Sequence, residues 1–311
     1  MNSTKPDLSN ARIAVIGLGA MGYGIAESVR RAGAKPYVFD LRPEVLRRFV
    51  ADGGTACSSV AEATRHADVI LSVVVNAQQT EALLLGEQGA AQALSAGKVF
   101  VMCSTVPPAF SVAMEAKVQA LGAEYLDAPI SGGAKRAANG ELTMMTAGRG
   151  AAYALCDPVL EAVSAKVYRL GNKAGAGSKV KIINQLLAGV HIAAAAEAMA
   201  LGIREGVAAA DLYEVITHSA GNSWMFENRM AHVLAADYTP ASAVDIFVKD
   251  LGLVLDTGRA SKFPLPLAAT AHQMFMHASS AGYGAQDDSA VIKIFPGIEL
   301  PKPAAPKDQE Q

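Results

Sequence analysis

The hydrophobic pattern of the chain changes character near its middle. Through the first half, short apolar runs at 12–16, 36–40, 69–74, 98–102, 124–127, 142–147 and 166–170 alternate with longer segments of helical spacing. Consecutive β-branched and aliphatic residues suit strands covered on both faces. This half therefore predicts a doubly wound α/β domain with a parallel sheet. Helices fill most of the gaps, one of them opened by Pro107-Pro108. After Gly171 the alternation stops. An Ala-rich helical run extends from about Ser178 to Glu205, and the remainder to Ile294 reads as helix with breaks at Gly221-Asn222, Thr239-Pro240 and Pro264-Leu265-Pro266. Four parts follow: an N-terminal extension (1–10), an α/β domain (11–173), an all-helical domain that includes the long linking helix (174–300), and a Pro/Lys-rich tail (301–311) expected to be disordered.

Composition narrows the possibilities. A chain of 311 residues accommodates two domains, and with 51% hydrophobic but only 6% aromatic residues its interior must be built from Ala, Val, Leu and Ile. Net charge is −2, with no basic run suited to nucleic acid or an anionic membrane. Cys57, Cys103 and Cys156 are odd in number and set in apolar sequence. They read as buried small hydrophobes in a reducing cytoplasm, not as a disulfide framework. The six histidines show no metal-ligand spacing, so no metal is expected. The polar 1–10 segment precedes an apolar run too short for a secretory core. The most apolar helix, 186–202, contains His191 and Glu197 and is expected to fall short of a membrane span.

The sharpest local signal is Gly17-Leu18-Gly19-Ala20-Met21-Gly22, between a predicted strand and a helix that stops at Gly33. A second strand follows and ends in Asp40, 18 residues past Gly22. Strand, glycine loop, helix, strand and terminal acid in register form a dinucleotide fingerprint of Rossmann type. Gly17 allows the turn, Gly19 admits a pyrophosphate, and Gly22 lets the helix pack closely, while the helix N-terminus offers partial positive charge. Asp40 suits ribose hydroxyls and repels a 2′-phosphate, which favours NAD; Arg42 keeps some NADP use open. Ligands in such sheets sit beyond the strand carboxyl ends, so Val75-Asn76 and Ser104-Thr105 should line the crevice. Thr105 is expected on the nicotinamide side, a role compatible with capping the next helix.

Three further clusters carry chemistry. Asp127-Ala128-Pro129-Ile130-Ser131-Gly132-Gly133 follows a strand, and its hydroxyl and glycine N–H groups suit a carboxylate; an ordinary glycine turn is the alternative. In Gly175 to Gln185, Lys181, Asn184 and Gln185 share one helix face and Lys179 points away. A solvated lysine is the alternative, against which stands the apolar face that follows. In Asp245 to Leu251, Lys249 and Asp250 interrupt an apolar helix, as a surface pair or as a buried pair needing partners.

These segments, taken in order, resemble the β-hydroxyacid dehydrogenases, the family that includes 3-hydroxyisobutyrate dehydrogenase and tartronate semialdehyde reductase. The match spans about residues 11–296. The stretches 179–191 and 219–228 look like the branch that oxidises L-threonate at C2 to 2-dehydro-L-erythronate. The resemblance implies Lys181 as catalytic residue with Asn184 helping to hold substrate, and Ser131, Gly132 and Gly133 on the substrate carboxylate. It implies that Thr105 and Lys249 contact the cofactor, with Asp250 orienting Lys249. Many relatives carry an aromatic residue where Ser242 stands and a proline where Val75 stands. Loss of bulk and gain of a hydroxyl at Ser242 favour a longer, polyhydroxylated acid. The implied reaction sends a hydride to NAD while Lys181, its pKa lowered by burial and by Lys249, takes the hydroxyl proton. Reduction of tartronate semialdehyde and oxidation of 3-hydroxyisobutyrate are the nearest alternatives. A non-catalytic cofactor-gated module and an imine reductase are disfavoured by the presence of Lys181. Apolar helix faces call for a homodimer or homotetramer.

Overall fold

The computed structural model describes residues 5–303. Its α/β part runs β1 (Ile13–Ile16), α1 (Ala20–Arg31), β2 (Tyr37–Phe39), α2 (Pro43–Ala51), β3 (Thr55–Ala56), α3 (Val60–His66), β4 (Val69–Ser72), α4 (Ala77–Leu85), β5 (Val99–Met102), α5 (Pro108–Ala120) and β6 (Glu124–Asp127). It continues through β7 (Ile130–Ser131), α6 (Gly133–Asn139), β8 (Leu142–Gly148), α7 (Gly150–Val163) and β9 (Ser164–Arg169). The helical part comprises α8 (Ala176–Arg204), α9 (Ala209–Thr217), α10 (Trp224–Leu234), α11 (Val244–Ser261) and α12 (Pro266–Ala278), then a π-turn (Ser279–Tyr283) and a 3₁₀ segment (Asp288–Ile294).

The strands run in the order β3-β2-β1-β4-β5-β6-β8-β7, with β9 beside β8. All pairs from β3 to β6 are parallel. This part of the sheet is therefore the doubly wound arrangement that the alternation predicts. Beyond β6 the direction changes: β8 is antiparallel to β6 and to β7 but parallel to β9. Strands β3 and β7, two residues each, escape the hydrophobic pattern because so short a run has no readable period. Strands β1, β4 and β5 are buried at every position, which is why they read as continuous apolar runs.

Contacts divide the chain into two compact units that part between Ile182 and Ile183, inside α8. In the second unit α8 buries Ile192, Ala193, Ala195, Ala196, Met199 and Ala200. Gly189 lies against Leu251, where a Cβ would stand 2.9 Å from the leucine, and Phe247 stacks on Phe275 at 5.1 Å between α11 and α12. At 29 residues, α8 is the one helix among those described that is long and apolar enough to cross a membrane by length and composition. A core helix of a soluble protein passes the same test, and this one buries six residues between Ile192 and Ala200. The tail expected to be disordered falls largely on 304–311, outside the described residues.

Candidate active site

At the fingerprint, Gly17 takes φ +90° and donates its N–H to the Phe39 carbonyl at 2.9 Å. A Cβ on Gly17 would lie 2.4 Å from the Val73 carbonyl oxygen, and one on Gly22 1.8 Å from that of Gly17. Neither position admits a side chain. Gly19 is different: a Cβ there meets nothing within 4 Å. It is the N-cap of α1, and no side chain caps that helix. The first-turn N–H groups and the helix dipole thus border open ground, the environment a pyrophosphate requires. Leu18 is buried, Ala20 is exposed, and Met21 is half-buried against the core.

Asp40 does more than terminate β2. Its carboxylate accepts the Leu18 N–H at 2.7 Å and the Arg42 N–H and Nε–H at 2.9 Å each, with Arg42 Nη2 at 3.0 Å. Burial alone would raise its pKa, but these bonds hold the carboxyl below the ordinary carboxylate range. Arg42 is a clamp on Asp40 before it is a contact for any ligand. A ribose hydroxyl at Asp40 must share the carboxylate with Arg42.

Two loops leave the neighbouring strand ends. Val75 is exposed; Asn76 caps α4 by accepting the Gln79 N–H at 2.8 Å, and Gln79 Oε1 in turn accepts the Val75 N–H at 2.9 Å. Thr105 is half-buried beyond β5. The capping role considered for it is excluded, because α5 begins at Pro108 with Pro107 as its N-cap.

On the far side of the sheet, β6 ends in the fully buried Asp127, whose carboxylate accepts N–H bonds from Gly175 (2.8 Å) and Ser178 (3.0 Å) and the Ser178 hydroxyl (2.7 Å). Ser131 closes β7, and Gly132 (φ +139°) and Gly133 (φ +74°) turn the chain into α6 in backbone that L side chains avoid. A Cβ on Gly133 meets nothing within 4 Å, so this turn too borders open space. Three residues after Ser178, Lys181 is buried, whereas Lys179 is exposed. The predicted register of α8 is correct at this point. Asn184 follows one turn later on the same face.

Within the helical unit, side chains form two polar chains. Asn184 Nδ2 donates to Gln185 Oε1 at 3.0 Å, Gln185 Nε2 donates to Asp250 Oδ2 at 2.6 Å, and Lys249 Nζ donates to Asp250 Oδ1. Lys249 and Asp250 are thus an ion pair with Asp250 buried. The second chain is not legible in the sequence. Buried Arg229 grips buried Asp288 through Nε and, at 3.1 Å, Nη2; His232 Nδ1 meets Asp287 at 3.0 Å; and Ser289 donates its N–H (3.1 Å) and hydroxyl (2.7 Å) to Asp287. The Ser242 hydroxyl bonds to Asp288, and the Ser242 carbonyl accepts the Asp288 N–H at 2.7 Å. That hydroxyl is therefore engaged within the protein, contrary to the idea that it adds an open polar group. The adjacent carboxylates of Asp287-Asp288 mark only one end of this second polar chain, and nothing in the sequence names Arg229 or His232 as their partners. Among the described residues, no three His, Cys, Asp or Glu side chains cluster as a metal site would require.

Residues 12–171 match the model of the NAD binding domain of 6-phosphogluconate dehydrogenase. Residues 175–295 match that described as NAD-binding of NADP-dependent 3-hydroxyisobutyrate dehydrogenase. An L-threonate dehydrogenase of Cupriavidus necator is 66% identical over 93% of this chain and 97% of its own. The chain belongs to the 3-hydroxyisobutyrate dehydrogenase-like family of β-hydroxyacid dehydrogenases. As a member it is an NAD-dependent hydroxy acid dehydrogenase with an N-terminal Rossmann-type domain and a helical C-terminal one. A solved structure titled 3-hydroxyisobutyrate dehydrogenase from Salmonella typhimurium is 52% identical with a TM-score of 0.88, covering 92% of this chain and all of that one. A more distant family member, the 3-hydroxyisobutyrate dehydrogenase of Pseudomonas aeruginosa, is 33% identical over 92% of this chain and 98% of its own.

Proposed function

We propose that the chain oxidises L-threonate at C2 to 2-dehydro-L-erythronate, with Lys181 as the general acid/base. The substrate rests on likeness to an L-threonate dehydrogenase along nearly the whole of both chains. The observation that carries the catalytic role is the burial of Lys181 beside the exposure of Lys179 two residues earlier.

Bound NAD supplies the hydride acceptor. The Gly17-to-Gly22 loop and the uncapped α1 N-terminus hold the pyrophosphate, and Asp40 the adenosine ribose. Val75, Asn76 and Thr105 line the cofactor crevice, and Lys249, oriented by Asp250, contacts the cofactor. The Ser131 hydroxyl and the Gly132 and Gly133 N–H groups bind the substrate carboxylate, with Asn184 a further hydrogen-bonding group. As the C2 hydrogen leaves with its electron pair, Lys181 stabilises the oxygen and removes the hydroxyl proton, leaving the ketone. Ser242 acts through its small size, leaving room for a four-carbon chain.

In this reading the α/β domain (11–173) holds the cofactor and the helical domain (174–300) builds the substrate and oligomer surfaces. The protein is a soluble cytoplasmic homodimer or homotetramer. Exposed Val180, Ile183, Leu187 and Leu201 fall on one stripe of α8 that a second copy would cover. The test is a comparison of kcat/KM for L-threonate and 3-hydroxyisobutyrate with NAD, and for tartronate semialdehyde with NADH. L-threonate is expected to be highest; a higher value for either other acid overturns the assignment.

A further inference from the structure

Helix α8 has an unusual start. Gly175, with φ +99°, precedes it and has no side chain with which to cap it. The cap comes instead from Asp127, about fifty residues upstream, whose two carboxylate oxygens take the N–H groups of Gly175 and Ser178 and the Ser178 hydroxyl. Ser111 on α5 adds a side-chain hydrogen bond to the same carboxylate. The first turn of α8 is pressed onto the sheet: a Cβ on Gly177 would lie 2.3 Å from the Met145 carbonyl oxygen and 3.1 Å from that of Asp127. A local Ser, Thr or Asp would satisfy a helix N-terminus without burying a charge. Burial raises the Asp127 pKa and the hydrogen bonds pull against that rise, so the carboxylate is costly where it stands. What the buried carboxylate adds, and a local cap would not, is registry between β6 and α8. Ser131 leaves the β6 end four residues after Asp127, and Lys181 lies three residues after Ser178.

We propose that Asp127 is a positioning residue: by clamping the first turn of α8 to the end of β6, it fixes Lys181 relative to the Ser131-Gly132-Gly133 turn that holds the substrate. The inference rests on the reading of Lys181 as the acid/base. A lysine held to within a fraction of an ångström of its productive position acts mainly in the transition state, so loss of registry falls on kcat before KM. Asparagine preserves the clamp, since its amide oxygen accepts the two N–H groups and its NH₂ donates to the Ser178 oxygen.

The test uses the full-length protein with L-threonate and NAD. Asp127→Ala is expected to lower kcat by roughly 100-fold, the scale of an ångström's misplacement, with KM for L-threonate and the NADH Kd within about 3-fold. Asp127→Asn is expected to restore kcat to within about 5-fold of the parent. Full kcat in Asp127→Ala, or an equal loss in the Asn and Ala variants, overturns the proposal. Where Asp127→Ala does not fold, Ser178→Ala decides: kcat falls several-fold at constant NADH Kd, and an unchanged kcat overturns it. Retained activity in Lys181→Ala is a separate outcome, which removes the underlying reading whatever the Asp127 variants show.

Discussion

The two compact units solve the problem of presenting polar chemistry by different means. In the α/β unit two glycine-lined turns present backbone: the uncapped start of α1 at Gly19, and the turn into α6, where a Cβ on Gly133 meets nothing within 4 Å. In the helical unit polar side chains pair with side chains: Asp250 with Lys249 and Gln185, Arg229 with Asp288, and His232 with Asp287. A backbone site tolerates no Cβ in the wrong place. A side-chain site tolerates no missing partner. The two units should therefore fail in different ways.

The largest effect is expected at Gly22. With 1.8 Å to the Gly17 carbonyl oxygen, a Cβ in Gly22→Ala forces the fingerprint loop apart. NADH binding, followed by fluorescence, should be abolished and the Tm lowered. Gly19→Ala, whose Cβ meets open space, should leave the Tm unchanged while weakening NADH binding. Equal Tm losses in the two variants would break the distinction between packing and ligand-facing glycines.

Next comes the buried pair of the helical unit. Arg229→Met strands a buried carboxylate and should cost about 3–5 kcal/mol in denaturant unfolding. Adding Asp288→Leu should recover much of that loss, because an apolar pair of similar volume carries no uncompensated charge. No recovery in the double variant would mean that Arg229 contributes chiefly by packing.

The same contrast separates what the sequence discloses from what it hides. The fingerprint glycines and Asp40 lie at fixed short offsets dictated by one turn and one helix, so the order of residues alone reveals them. The face of Lys181 is legible for the same reason, since about 100° per residue is local geometry. The grip of Arg229 on Asp288 is not, because 59 residues separate them and either could be a solvated surface charge in sequence. Nor is the clamp of Arg42 on Asp40, nor the capture of the Ser242 hydroxyl by Asp288, since rotamers settle both.

The smallest effect is pH-dependent. Burial raises Asp287, but His232, Ser289 and the Arg229 charge outweigh it and hold the carboxyl at about 2. Its contribution to stability is present above its ordinary value of 3.8 and is lost as pH falls toward about 2. The hydrogen bond to Asp287 raises His232 above its ordinary 6.5, so that contribution is complete below 6.5 and is lost as pH rises through the raised value. The difference in Tm between the parent and Asp287→Asn should thus be greatest between about pH 4 and 6.5 and shrink on both sides. A difference independent of pH would exclude the His232–Asp287 ion pair.

The most direct measurement is a paired one on α8. Lys181→Ala should lower kcat with L-threonate by roughly 10²–10⁴, the range for a general acid/base, while NADH affinity holds because the fingerprint is untouched. Lys179→Ala, at an exposed position on the other side of the helix, should leave kcat unchanged. A larger loss in Lys179→Ala, or full activity in Lys181→Ala, would contradict the placement of the chemistry on this helix face.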